Sequence, residues 1–173
     1  MSLTYDPPQQ WELDTVRGPR RGAIALMDSV LFLFAQYGVT NLGIYSRRPA
    51  GSSELAGQPV TVGNASTHAV GRADDFGTLD VPAKGLKGAD VNRFLANTLV
   101  AGDNPDLCGI QEVISCGRRW TCRDRLWHPY HGPDGHFTHV HAAVTIDIAD
   151  WGQPGCDLQP LRAWMVGALT NAT

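Results

Sequence analysis

Gly135-His136-Phe137-Thr138-His139-Val140-His141-Ala142-Ala143-Val144-Thr145-Ile146 is the stretch that decides how this chain is read. Its second half, with Val140, Val144, Thr145 and Ile146, favours pleated backbone. Residues two apart on a strand share a face, so His139 and His141 present two imidazoles side by side. Five of the six histidines (His128, His131, His136, His139 and His141) fall between residues 128 and 141. Imidazole is the commonest side-chain ligand for a transition metal and the usual acid or base near neutral pH. A His-x-His pair needs a distant partner to become a site. Without one it is a polar strand end with exposed histidines.

The whole chain narrows the choice. A length of 173 residues suits one domain with a real core. A net charge of −3 gives no basic footprint for nucleic acid. No apolar run approaches a membrane span. The start, Met1-Ser2-Leu3-Thr4-Tyr5-Asp6-Pro7-Pro8, has neither a basic nor an apolar leader region, so no signal peptide is expected. Cys116 and Cys122 flank a hairpin turn and are either bridged or free; Cys108 and Cys156 complete the set.

In chain order, residues 1–19 are expected to be an extended lead-in and 20–173 a single domain. Arg20 to Tyr37 reads as a helix, with Ala23, Met27, Val30, Leu31 and Phe34 at helical spacing and Gly38 as its stop. Leu42 to Tyr45 reads as a short strand, and residues 50–66 as a long loop. Asp90 to Ala101 is a second helix. Ile110–Ser115 and Arg119–Cys122 form a hairpin around Gly117. Trp127 to Gly135 is a rigid aromatic loop, and a last helix runs from about Leu158 to Leu169. Helices interleaved with hairpin signals predict an α+β fold, a small antiparallel sheet with flanking helices.

The distant partner is found at His68 and Asp75. On a helix, seven residues put them roughly 10 Å apart along the axis. Two ligands of one tetrahedral zinc sit only about 3.4 Å apart, given bonds of about 2.0–2.1 Å. A turn at Gly71 followed by a strand brings Asp75 back beside His68, with Ala73 and Asp75 on one face and Asp74 pointing away. A third ligand from the His139/His141 strand makes a two-His, one-carboxylate set with a position left for water.

Ser66-x-His68-x-x-Gly71-x-Ala73-x-Asp75 resembles the SxHxxGxAxD motif of zinc D-alanyl-D-alanine carboxypeptidases and L-alanyl-D-glutamate endopeptidases, at all its fixed positions. Tyr45-x-x-Arg48-Pro49 looks like that family's YxxRP segment, and His136-x-Thr138-His139-Val140-His141 is similar to its HxDHVH ending. The resemblance spans about Ala23 to Ile146. It implies a hedgehog/D-Ala-D-Ala-peptidase-like fold and Zn2+ held by His68, Asp75 and His141. It implies further that His139 serves in catalysis, Arg48 binds a substrate carboxylate, and Ser66, Tyr130 and His136 lie along the substrate. The implied activity is hydrolysis of peptide bonds in bacterial peptidoglycan stem or cross-link peptides, as in phage or actinobacterial endolysins. Such a protein is made in the cytoplasm and acts on the cell wall, with no nucleic-acid or membrane partner and a monomer as the expected state.

One departure matters: relatives carry Asp or Glu three residues before the last His, where this chain has Thr138. Proton transfer then falls to His139, or the chain is a catalytically weakened cell-wall-binding module on the same fold. A small regulatory metal-binding protein is a third reading. Should His139 not serve, Glu112 or Asp74 is the next carboxylate to consider.

Overall fold

The computed structural model describes residues 3–46, 59–132 and 134–151. Arg48, Cys156, the loop positions 50–58 and the expected helix at Leu158–Leu169 lie outside the described residues. Six strands form one antiparallel sheet: β1 (Val39–Gly43), β2 (Ala73–Thr78), β3 (Ile110–Ser115), β4 (Arg118–Thr121), β5 (Trp127–Pro129) and β6 (His139–Val144). Their order is β1-β2-β6-β3-β4-β5, so the histidine strand lies inside the sheet, between β2 and β3. The helices are α1 (Gln10–Thr15), α2 (Arg21–Phe34), α3 (Gly88–Leu99), α4 (Asn104–Cys108) and α5 (Ile146–Trp151). The α+β class with flanking helices is as predicted. No helix among the described residues is long and apolar enough to cross a membrane.

The core forms where α2 and α3 cover one face of the sheet. From α2 come Leu26, Met27, Val30, Leu33 and Phe34, and from α3 Val91, Leu95 and Leu99. They meet Phe76, Val113, Trp120, Val140 and Ala142, every second residue of their strands. Burying each large apolar side chain contributes about 1.5–3 kcal/mol. The α2 helix tightens into a 3₁₀ turn (Ala35–Tyr37) and stops at Gly38, φ +85°. Strand β1 therefore begins at Val39, earlier than the expected Leu42, because Val39 drops straight into the core and pairs with Thr78.

The β3–β4 hairpin turns through Cys116 and Gly117, both at positive φ (49° and 71°), between the paired residues Ser115 and Arg118. Positive φ at both central residues matches the twist of a two-residue hairpin. Cys122 instead lies beside Gln111 at the far end, four residues beyond Arg118 and so about 13 Å from the turn. That exceeds the separation of about 4.4–6.8 Å a disulfide spans, and both thiols are free. Trp127–Pro129, expected as loop, pairs with β4 as the sheet's edge strand, a place that tolerates the missing N–H of Pro129.

The lead-in also differs from expectation, since residues 10–15 form helix α1. Its anchor is Glu12, which is fully buried. One Glu12 carboxylate oxygen pairs with Arg20 and with Arg72 Nε at 2.9 Å, and the other accepts from Arg72 Nη2 at 3.2 Å. Arg72, also fully buried, further donates to the carbonyls of Asp6 and Val144. The sequence around Glu12 gave no signal for this partnership, because Arg72 lies sixty residues away. Removing one member of a buried ion pair strands its partners' charge, at about 3–5 kcal/mol. Glu12→Gln is therefore expected to lower the unfolding free energy by that amount in urea titration. An unchanged midpoint would show that the two guanidiniums find other partners.

Candidate metal centre

Register builds the site. In the β2–β6 ladder Asp75 lies directly opposite His141, and Asp74 opposite Ala142 on the core face. His68 arrives from a 3₁₀ turn, Thr67–Val70, that ends at Gly71 with φ +69°. A side chain at Gly71 would also strike the Gly18 carbonyl, 2.3 Å from an ideal Cβ. The glycine thus permits both the reversal into β2 and the close passage of the N-terminal segment.

Three donor atoms converge. His68 Nε2 lies 3.0 Å from His141 Nδ1 and 3.1 Å from Asp75 Oδ1, and His141 Nδ1 lies 3.2 Å from Asp75 Oδ1. This near-equilateral triangle approaches the edge of about 3.4 Å expected for a tetrahedral zinc with bonds of about 2.0–2.1 Å. Two imidazoles and a carboxylate on one side of an ion suit zinc, and equally an open iron(II) site. The far ring nitrogens are engaged too. His68 Nδ1 donates to the Ile44 carbonyl at 2.9 Å, which leaves Nε2 as the ligand atom. His141 Nε2 faces Glu112 Oε1 at 3.5 Å and Thr67 Oγ1 at 3.5 Å. Glu112 is held in turn by Arg119 and by the Tyr5 hydroxyl at 3.2 Å.

The charges match this arrangement. Burial alone would lower the pKa of His141, but Asp75 and Glu112, on opposite sides of its ring, outweigh burial and raise it to about 10. Burial alone would raise Asp75 and Glu112. His141 and His68 instead hold Asp75 well below the usual carboxylate range, and His141 with Arg119 brings Glu112 down to about 2. Without a metal, His141 is therefore an imidazolium at neutral pH. An ion entering the triangle takes that proton's place.

His139, one pair along β6, keeps to the rim. Its Nε2 is 4.0 Å from Asp75 Oδ1 and 3.8 Å from Asp134 Oδ2. The His136 ring lies 4.4 Å from the His139 ring and 5.4 Å from that of Tyr130, so both expected substrate-side residues border the centre. Burial, with the neighbouring His141 and His139, lowers His136 to about 4. Ser66 sits just before the 3₁₀ turn, and its carbonyl accepts the Ala69 N–H. Thr138 is exposed, and its carbonyl accepts from Thr78. Asp134, a carboxylate that sequence spacing did not single out, brings Oδ2 to 3.8 Å from His139 Nε2. Glu112, expected only as a substitute base, instead faces His141 Nε2 and orients its ring. His128 and His131 are exposed, with His128 paired to Asp124. Comparison with protein-family models, curated proteins and solved structures finds no match to this chain.

Two predictions concern the carboxylates around the triangle. Partners that orient a ligating histidine typically contribute about 10–100-fold in metal affinity. Glu112→Gln should weaken zinc binding by that factor in competition with a chromophoric chelator, and wild-type affinity would remove Glu112 from this role. Asp74, on the core face, is buried with no hydrogen-bond partner for either oxygen, and burial pushes its pKa well up. Its folded-state pKa lies above the unfolded one, so its contribution to stability is complete below about pH 4 and declines as pH rises. Asp74→Asn cannot ionise. Measured in chelator, its stability minus that of wild type should grow as pH rises above about 4. A difference independent of pH would contradict this.

Proposed function

We propose that this chain is a zinc-dependent peptidase acting on peptide bonds of bacterial peptidoglycan, with the hedgehog/D-Ala-D-Ala-peptidase-like fold that its motif resembles. The observation that carries the proposal is the triangle of His68, Asp75 and His141, whose donor atoms stand 3.0–3.2 Å apart. The choice of peptidoglycan rests on the resemblance of Ser66-x-His68-x-x-Gly71-x-Ala73-x-Asp75 to enzymes of that substrate. When bound, zinc supplies a hydroxide nucleophile near neutral pH and polarises the scissile carbonyl.

The chain's own residues do the rest. His68, Asp75 and His141 would hold the ion, their rings oriented by the Ile44 carbonyl and Glu112. His139, at the rim, takes a proton from the attacking water at Nε2 and passes it to the leaving amine. Asp134 Oδ2 lies 3.8 Å from that nitrogen. Tyr130 and His136 line the approach, and Arg48 receives a substrate carboxylate.

Purified protein should contain about one tightly bound zinc and release muropeptides from cell wall, read by mass spectrometry. His68→Ala and Asp75→Ala should lose metal and activity together. His139→Ala should keep the tight zinc and lose about 10²–10⁴-fold in turnover. Full metal retention in His68→Ala would refute the ligand set, and wild-type turnover in His139→Ala would refute the acid–base role. Thr138 favours a second reading, a cell-wall-binding module with weakened catalysis. Zinc-loaded protein that sediments with cell wall but releases no muropeptide would support that reading instead.

A further inference from the structure

We infer that Asp134, His136 and His139 form a second transition-metal site at the rim of the first. One ligating atom from each of the three lies within 4.8 Å of the others, and the group shares no residue with the triangle.

Local hydrogen bonds fix which atoms face inward. His136 Nδ1 donates to the Asp134 carbonyl at 2.6 Å, which leaves Nε2 with its lone pair free. The His136 backbone N–H donates to Asp134 Oδ1 at 2.9 Å, so Oδ2 is the oxygen turned toward His139. His139 Nε2 is the nitrogen nearest that oxygen, at 3.8 Å. Two imidazole nitrogens and one carboxylate oxygen again suit zinc or a neighbouring divalent transition metal.

The surroundings hold this geometry against strain. His136 adopts φ +53°, a left-handed conformation that is costly for a non-glycine residue. It is kept there from two sides. Asn92 of α3, fully buried, donates to the carbonyls of both His136 (3.2 Å) and His139 (3.0 Å), while its own oxygen accepts from Ser115 at 2.5 Å. The hairpin turn adds Cys116 N–H to the His136 carbonyl and Gly117 N–H to the Gly135 carbonyl. One carboxamide thus sets the spacing of two of the three ligating residues. The strained backbone turns the His136 ring over those of His139 (4.4 Å) and His141 (5.8 Å) rather than toward solvent. The triangle alone requires none of this.

Asp134 is exposed, so this site is open to solvent and exchanges its ion more readily than the buried triangle. The inference does not depend on the peptidase reading. If that reading holds, an ion here occupies the nitrogen His139 uses for proton transfer, so occupancy of the outer site opposes turnover.

The test is a zinc titration of the full chain after chelator treatment, followed by calorimetry and by metal analysis at buffered zinc levels. Wild type should take up about two zinc ions, one tight and one weaker. Asp134→Asn, at an exposed position, and His136→Ala should each retain only the tight ion. His68→Ala should lose the tight ion and keep the weak one, which separates failure of the inner site from failure of the outer. A wild-type stoichiometry of one, or a second ion that persists in both Asp134→Asn and His136→Ala, would overturn the inference. So would loss of the tight ion in His139→Ala with two ions retained in His136→Ala, since His139 would then belong to the inner site.

Discussion

The antiparallel pairing of β2 with β6 is the constraint on which the rest depends. It places Asp75 opposite His141 on one face and Phe76 opposite Val140 on the other. Because side chains alternate, a slip of one residue would carry every side chain of β2 to the wrong face. The triangle of His68, Asp75 and His141 would lose Asp75 to the core, and Phe76 would leave the layer under α2 and α3. The register that makes the site is therefore the register that makes the core. Apolar packing of Phe76, Val140 and Ala142 holds the donors in place without any metal.

On the site face, charge is balanced in depth. Arg119 and Tyr5 hold Glu112, Glu112 faces His141, and His141 faces Asp75. Tyr5 is also covered by the guanidiniums of Arg119 and Arg123. A residue near the chain's start therefore helps to fix the ring of His141, more than 130 positions later. Where a carboxylate lacks such support, as at Asp74, it stands as an unpartnered acid in the core.

Much of this was legible because it is local. His68, Gly71, Ala73 and Asp75 lie within eight residues, and the turn-then-strand geometry follows from needing two ligands about 3.4 Å apart. His139 and His141 declare themselves by strand periodicity, and α2, α3 and the β3–β4 hairpin by theirs. What was not legible lies across the chain. Glu12 meets Arg72 sixty residues away, and Glu112 meets Tyr5 at a separation of 107. Sequence spacing carries no trace of such contacts. Asp134 was missed for a different reason: a left-handed residue at His136 folds the segment back on itself, and nothing in the residue type announces that. The cysteines misled because both flank the turn in sequence, while the ladder sets them at opposite ends of the hairpin.

The long reach of the N-terminal segment has a consequence for synthesis on the ribosome. Asp6 meets Arg72 and Gln111, Tyr5 meets Glu112 and Arg119, and Arg20 meets Asp150. Residues 1–20 are thus made well before the partners they meet, and are among the last to find their places. Loops of this size close slowly, and the nascent segment carries its acid and guanidinium groups in water until the sheet exists to receive them. The ring of His141 is translated later than Tyr5 and Glu112, the residues on its far side.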